Sequence, residues 1–162
     1  MGRTFIKAKE IEWRKTNGSH ELSYYIDTNI FVYSALAHPV YGRCCKRIID
    51  DIQNENIKAF CGFLVPIELL CSIAKIDPAK VGIALDSFFS LSIKMIQINE
   101  RLLQNAASIM FESGVTYDSI HAACMRIQSL DTIITEDVTD WKKIKSVKVI
   151  RPLEYEKIVK QH

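Results

Sequence analysis

The run Leu22-Ser23-Tyr24-Tyr25-Ile26-Asp27-Thr28-Asn29 decides the fold. Its apolar, aromatic-rich first half reads as a buried strand over residues 22–26, and it stops on a carboxylate, Asp27. A short helix is predicted over residues 29–37 and ends at His38-Pro39, because the residue before a proline is driven out of helical geometry. This is one β-to-α step with an acid at the turn.

The same step recurs downstream. Across residues 41–53, Cys44, Cys45, Ile48, Ile49 and Ile52 return at three- and four-residue spacing and mark one buried helical face. A strand near residues 57–63 leads to Pro66, whose fixed φ and missing N–H suit a first helical position, so a helix is predicted from there to about Lys75. Asp77-Pro78 repeats that start signal, with Val81, Ala84, Leu85 and Phe88 on one face. Next come a strand at residues 93–98 and a helix capped by Asn99, running through Met110 and stopped at Gly114. A helix from Thr116 or Tyr117 to about Leu130 and strands at residues 131–135 and 147–150 complete the pattern. Strands alternating with helices predict an α/β fold with a mostly parallel central sheet.

A chain of 162 residues with 48% apolar and 25% charged residues fits one globular domain and excludes disorder. The division is an N-terminal extension over residues 1–21, a folded domain over 22–155 and a tail over 156–162. The longest apolar run, residues 60–74, carries Glu68 in its middle, which argues against a membrane span. The first ten residues alternate charge with apolar side chains and do not resemble a secretory leader. Five cysteines without a C-x-x-C pair read as reduced thiols serving as small core residues, which points to the cytoplasm. Net charge is +2, but its distribution is uneven: +3 over residues 1–20, −6 over 21–140 and +5 over 141–162. Basic ends around an acidic middle fit either a nucleic-acid footprint beside a carboxylate-rich site or a solvated surface.

The acids fall at junctions. Asp27 follows the first strand, Glu68 lies in the first turn of the helix opened by Pro66, Asp118 lies in the first turn of the helix near Thr116, and Asp137 follows Thr132-Ile133-Ile134-Thr135. In an open parallel sheet, strand carboxyl ends and helix N-termini face one crevice, so four carboxylates from distant parts of the chain converge. Capping explains Glu68 or Asp118 taken singly, since acids favour first turns. It does not explain a charge inside Phe63-Leu64-Val65-Pro66-Ile67-Glu68-Leu69-Leu70, where burial without a partner is costly.

At about 5 Å and an effective dielectric near 20, each carboxylate pair repels by roughly 3 kcal/mol, so such a cluster calls for a bound cation. An oxygen-only donor set selects Mg²⁺ or Mn²⁺ over zinc. The chemistry that follows is hydrolysis of a phosphodiester.

Tyr24-Tyr25-Ile26-Asp27-Thr28-Asn29, Pro66-Ile67-Glu68-Leu69-Leu70, Tyr117-Asp118-Ser119-Ile120-His121-Ala122-Ala123 and Thr135-Glu136-Asp137, in this order, resemble the PIN domain family over about residues 22–155. The resemblance implies a three-layer α/β/α sandwich and a Mg²⁺- or Mn²⁺-dependent endoribonuclease. By similarity, Asp27, Glu68, Asp118 and Asp137 are the catalytic and metal-binding quartet, oriented by Asn29 and Thr135. Family members include VapC-like toxins neutralised by a small antitoxin and enzymes that process ribosomal or transfer RNA, and homodimers are common. The implied partners are therefore RNA, an antitoxin and a second copy of the chain.

The sequence departs from the family where Asp140-Trp141 stands one residue later than usual, so Asp140 competes with Asp137 for the fourth position, and Asp137 is preferred because it directly follows the strand. His121, three residues after Asp118, is either a general base or a residue packed beneath the site, and the second reading is preferred. His20, His38 and His162 read as surface residues. Lys142, Lys143, Lys145 and Lys148 either draw RNA phosphates inward or are solvated. A non-catalytic RNA-binding scaffold stays open as an alternative. A haloacid-dehalogenase-type phosphotransferase is disfavoured because Asn29 stands where a second aspartate is needed, and no glycine-rich phosphate loop is present.

Overall fold

The computed structural model describes residues 22–160, so the predicted extension over residues 1–21, with His20, and the terminal His162 lie outside the described residues. Strand β1 (Ser23–Ile26) buries Tyr24, Tyr25 and Ile26 in succession, without alternation, as a strand covered on both faces must. Asp27 ends it and also caps helix α1 (Thr28–Ala35), accepting the Thr28 N–H at 2.7 Å. Helix α2 (Gly42–Gln53) buries Cys44, Cys45, Ile48 and Ile52, and β2 (Lys58–Gly62) follows.

Helix α3 (Leu64–Ile76) begins two residues before Pro66, which corrects the predicted start. Proline is tolerated there because the third helical N–H also has no intrahelical acceptor. Glu68 therefore stands in the second turn, beyond reach of the orphan N–H groups, and its setting needs another explanation. A 3-10 turn at Pro78–Lys80 enters α4 (Val81–Ser90), and β3 (Ile93–Ile96) ends two residues earlier than predicted. The side chain of Asn99 caps α5 (Glu100–Ser113) by accepting from the Leu102 N–H at 3.0 Å, and Gly114 closes it with φ at 70°. Then come α6 (Tyr117–Ile127), β4 (Thr132–Ile134), a 3-10 turn at Trp141–Lys143, β5 (Lys148–Ile150) and α7 (Pro152–Lys160). Helix α7 was not foreseen in the sequence.

The sheet has the order β3-β2-β1-β4-β5, and every pairing is parallel. Right-handed crossovers carry β1 to β2 and β2 to β3 in one direction and so place α1 to α4 on one face. The connection from β3 to β4 runs back past β2 and β1, which puts α5 and α6 on the other face. The result is a three-layer α/β/α sandwich. Strand order reverses between β1 and β4, and their carboxyl ends open the crevice that such a reversal creates. Beneath it, Tyr25, Ile26, Ile133 and Ile134 have no exposed surface. All five cysteines are free thiols, and four are buried while Cys71 is exposed. Among the described residues no helix is long and apolar enough to cross a membrane.

Candidate active site

Asp27 stands at the reversal point and is only 8% exposed. Its backbone N–H donates to the Ile134 carbonyl at 3.1 Å, which locks the end of β1 to β4. Its carboxylate accepts three hydrogen bonds: the Thr28 N–H on Oδ1, and on Oδ2 the Asn29 amide at 2.9 Å and the Thr135 hydroxyl at 2.5 Å. Asn29 Nδ2 also donates to Thr135 Oγ1 at 2.8 Å, and Asn29 Oδ1 accepts from the Glu136 N–H at 3.2 Å. Burial pushes the Asp27 carboxyl above the ordinary range, against the lowering effect of His121 and of these hydrogen bonds.

Glu68 reaches the same place from α3. The Thr28 hydroxyl donates to its Oε2, and His121 Nε2 lies 3.2 Å from that oxygen. His121, 1% exposed, places Nδ1 2.8 Å from the Tyr25 hydroxyl, which accepts from the Gly62 N–H at 2.9 Å. Burial alone raises a carboxyl and lowers an imidazole, but the pairing outweighs both, so Glu68 is lowered and His121 raised. This partnership compensates the charge that the sequence left unexplained.

Asp27, Glu68 and His121 each offer a ligand atom, all within 4.8 Å of one another. Asp118 stands outside that trio but close enough for charge to act: burial first, then the charge of Asp27, pushes it up to about 6, with Asp137 and Asp140 adding to the effect. The Asp137 N–H donates to Thr135 Oγ1 at 3.1 Å, and its own carboxylate accepts from the Thr139 N–H at 3.0 Å. Asp140 pairs with Lys143 at 2.6 Å. Of the basic residues singled out in the sequence, Lys143 and Lys148 are thus engaged with Asp140 and Asp131, whereas Lys142 and Lys145 are exposed. Raised carboxyls crowded at one strand junction fit a cation. Because His121 already meets Glu68 and Tyr25 through its two nitrogens, the donor set is oxygen, which suits a hard divalent ion.

The PIN domain family model matches residues 24–146. The chain belongs to the PIN domain family. No curated protein matches it significantly in sequence. Several solved structures share its fold. VapBC2 from Rickettsia felis, bound to a promoter DNA fragment, has a TM-score of 0.61 at 18% identity, covering 80% of this chain and 98% of that one. Mycobacterium tuberculosis VapC20, a toxin that cleaves the sarcin-ricin loop, has a TM-score of 0.62 at 13% identity, with coverage of 74% and 93%. DNA-bound VapBC from Salmonella typhimurium gives 0.62 at 15% identity, with coverage of 81% and 98%. At these identities the likeness is one of fold.

Within this PIN domain, two features escaped the sequence. One is Tyr25, read only as a strand residue, whose hydroxyl holds His121. The other is His38, read as a surface residue, which packs against both Tyr33 and Tyr41 with ring centroids 4.6 and 5.1 Å away. The aromatic residues flanking the His38-Pro39 break were the signal available for the second.

Proposed function

We propose that this PIN domain is a divalent-metal-dependent endoribonuclease of the VapC type, acting as the toxin of a toxin–antitoxin pair in the cytoplasm. Asp27, Glu68, Asp118 and Asp137 are its catalytic and metal-binding residues, and Asn29, Thr135 and Asp140 support them. The observation that carries this reading is the buried Asp27 carboxylate at the β1/β4 crevice, with Glu68 beside it and an Asp118 raised to about 6 by its neighbourhood.

Mg²⁺ or Mn²⁺, when bound, polarises a phosphoryl oxygen and makes its water a stronger nucleophile. Asp27, fixed by three hydrogen bonds, and Asp118 would hold the ion, with the exposed Asp137 completing the set. Glu68, whose Oε2 is engaged by Thr28 and His121, has Oε1 left to complete the ion's surroundings or to orient the attacking water. Asn29 and Thr135 keep Asp27 in one rotamer, so the acid is positioned before substrate arrives.

Similarity in fold to the VapBC complexes supports an antitoxin partner. The exposed Ile67 and Leu70, one turn apart on α3, support a homodimer. Incubating the purified protein with a panel of structured RNAs and Mn²⁺ tests the activity. Cleavage that stops with EDTA and with Asp27→Asn is expected, and cleavage surviving either treatment contradicts the assignment.

A further inference from the structure

Beside the acidic pocket, where α1 leads through a short loop into α2, three aromatic rings form a cluster that catalysis does not use. Tyr33 lies one turn beyond Asn29 on α1, so the two side chains share a face of that helix. Tyr33 and Tyr41 are stacked with centroids 5.6 Å apart and planes 25° from parallel, and His38 stacks on Tyr41 at 22°. All three residues are half-buried, so each keeps part of its surface in water.

Hydrogen bonds tie the loop between Tyr33 and Gly42 together. The His38 N–H donates to the Tyr33 carbonyl at 2.9 Å, and the Gly42 N–H donates to the His38 carbonyl at 2.8 Å. His38 Nδ1 accepts from the N–H groups of Val40 and Tyr41, both at 3.2 Å, which fixes the ring and leaves the proton on Nε2. Gly42 is required by close approach, since a Cβ there would meet the Ala37 backbone carbon at 2.9 Å.

The cluster also connects to the site. Tyr41 stands beside Glu136 and Arg151, and Glu136 is tied through its N–H to Asn29, which in turn holds Asp27. The Tyr33 hydroxyl feels the charges of Glu136 and Asp137. Arg151, partly exposed and ion-paired with Glu136, places a guanidinium group beside Tyr41 for a phosphate.

We propose that Tyr33, His38 and Tyr41 form the seat for one unstacked nucleobase next to the phosphate that enters the acidic pocket. This rests on the nuclease reading above. Aromatic faces accept any base, but only a base with a free face can use them, and those of a duplex are already stacked. The rings are set before the base arrives, so little ordering opposes binding.

The test is binding of oligouridine carrying a single 2-aminopurine at successive positions, measured in EDTA with the full chain. Quenching at one position in the single strand, and none when the oligonucleotide is annealed to its complement, is expected. Tyr33→Leu should weaken binding about 5- to 150-fold, while Tyr33→Phe, which keeps the ring, stays near wild type. An abasic residue at the quenched position should weaken wild-type binding by the same factor, a check that needs no altered protein. In cleavage with Mn²⁺, Tyr33→Leu should raise KM and leave kcat in place. Unchanged affinity in both a folded Tyr33→Leu protein and the abasic oligonucleotide, or equal quenching of single strand and duplex, overturns the seat. Quenching without any cleavage by the wild type overturns the nuclease reading alone; cleavage without quenching overturns the seat alone.

Discussion

The Thr135 hydroxyl donates to Asp27 Oδ2 at 2.5 Å and so joins the carboxyl ends of β4 and β1 across 108 residues of sequence. The same oxygen accepts from the Asn29 amide and the Asp137 N–H, so one hydroxyl sets both the buried acid and the loop that carries Asp137. Thr135→Val keeps the shape and removes all three bonds. It should cost about 1–3 kcal/mol of stability and lower cleavage by at least tenfold, with Thr135→Ser close to wild type. Urea unfolding and initial cleavage rates measure the two effects.

Asp118, raised to about 6, gives a pH dependence of definite sign. A carboxyl whose folded pKa lies above its unfolded value binds more protons when folded, so its ionisation opposes folding. The favourable state is present below about pH 4 and is lost as pH rises through about 6. Asp118→Asn removes this loss and, for a carboxyl still partly open to solvent, should raise metal-free stability at pH 7 by roughly 1–2 kcal/mol, a melting-point gain of a few degrees, with no gain at pH 4. Mn²⁺ should stabilise the wild type more at pH 7 than at pH 5, because the ligand must be ionised. Thermal melts from pH 4 to 8, with EDTA and with Mn²⁺, check both. A variant-minus-wild-type difference that is flat with pH contradicts the raised Asp118 carboxyl.

Tyr25→Phe removes the hydroxyl that meets the Gly62 N–H and His121 Nδ1, leaving two buried polar groups unsatisfied. It should destabilise by about 1–3 kcal/mol. Cleavage should fall less than in Asp27→Asn, since Tyr25 acts on Glu68 only through His121. Chemical denaturation and kcat values for the two variants separate these effects.

Gly62→Ala should be destabilising, because its Cβ would lie 2.6 Å from Cys124 Sγ and 2.9 Å from the Tyr25 hydroxyl oxygen. Adding Cys124→Ala removes the closer clash and should recover part of the loss. Melting temperatures of the single and double variants measure that recovery.

Much of this was legible in the sequence because strand-to-helix punctuation is local. Tyr25-Ile26-Asp27, Asn99 as a cap and Gly114 as a stop act through near neighbours, and the structure has them in those roles. Pro66 misled because its signal is degenerate: a missing N–H is tolerated at any of the first three helical positions, so the start moved to Leu64 and Glu68 left the first turn. His121 was read as packed beneath the site, but its pairing with Glu68, and the tyrosine behind it, were not legible. His121 and Tyr25 are separated from each other by 96 residues, and nothing in a strand tyrosine announces a hydroxyl aimed at a distant imidazole. Helix α7 was missed for a smaller reason: Tyr155, Ile158 and Val159 stand at helical spacing, but over nine residues the pattern has no room to repeat.

Binding of Mn²⁺ at pH 7.5, followed by isothermal titration calorimetry on the wild type and on single Asp27→Asn, Glu68→Gln, Asp118→Asn and Asp137→Asn variants, tests the central claim most directly. One shared site predicts saturable binding by the wild type and weaker binding by every variant. Wild-type affinity retained across the four variants, or no saturable binding by the wild type, would contradict it.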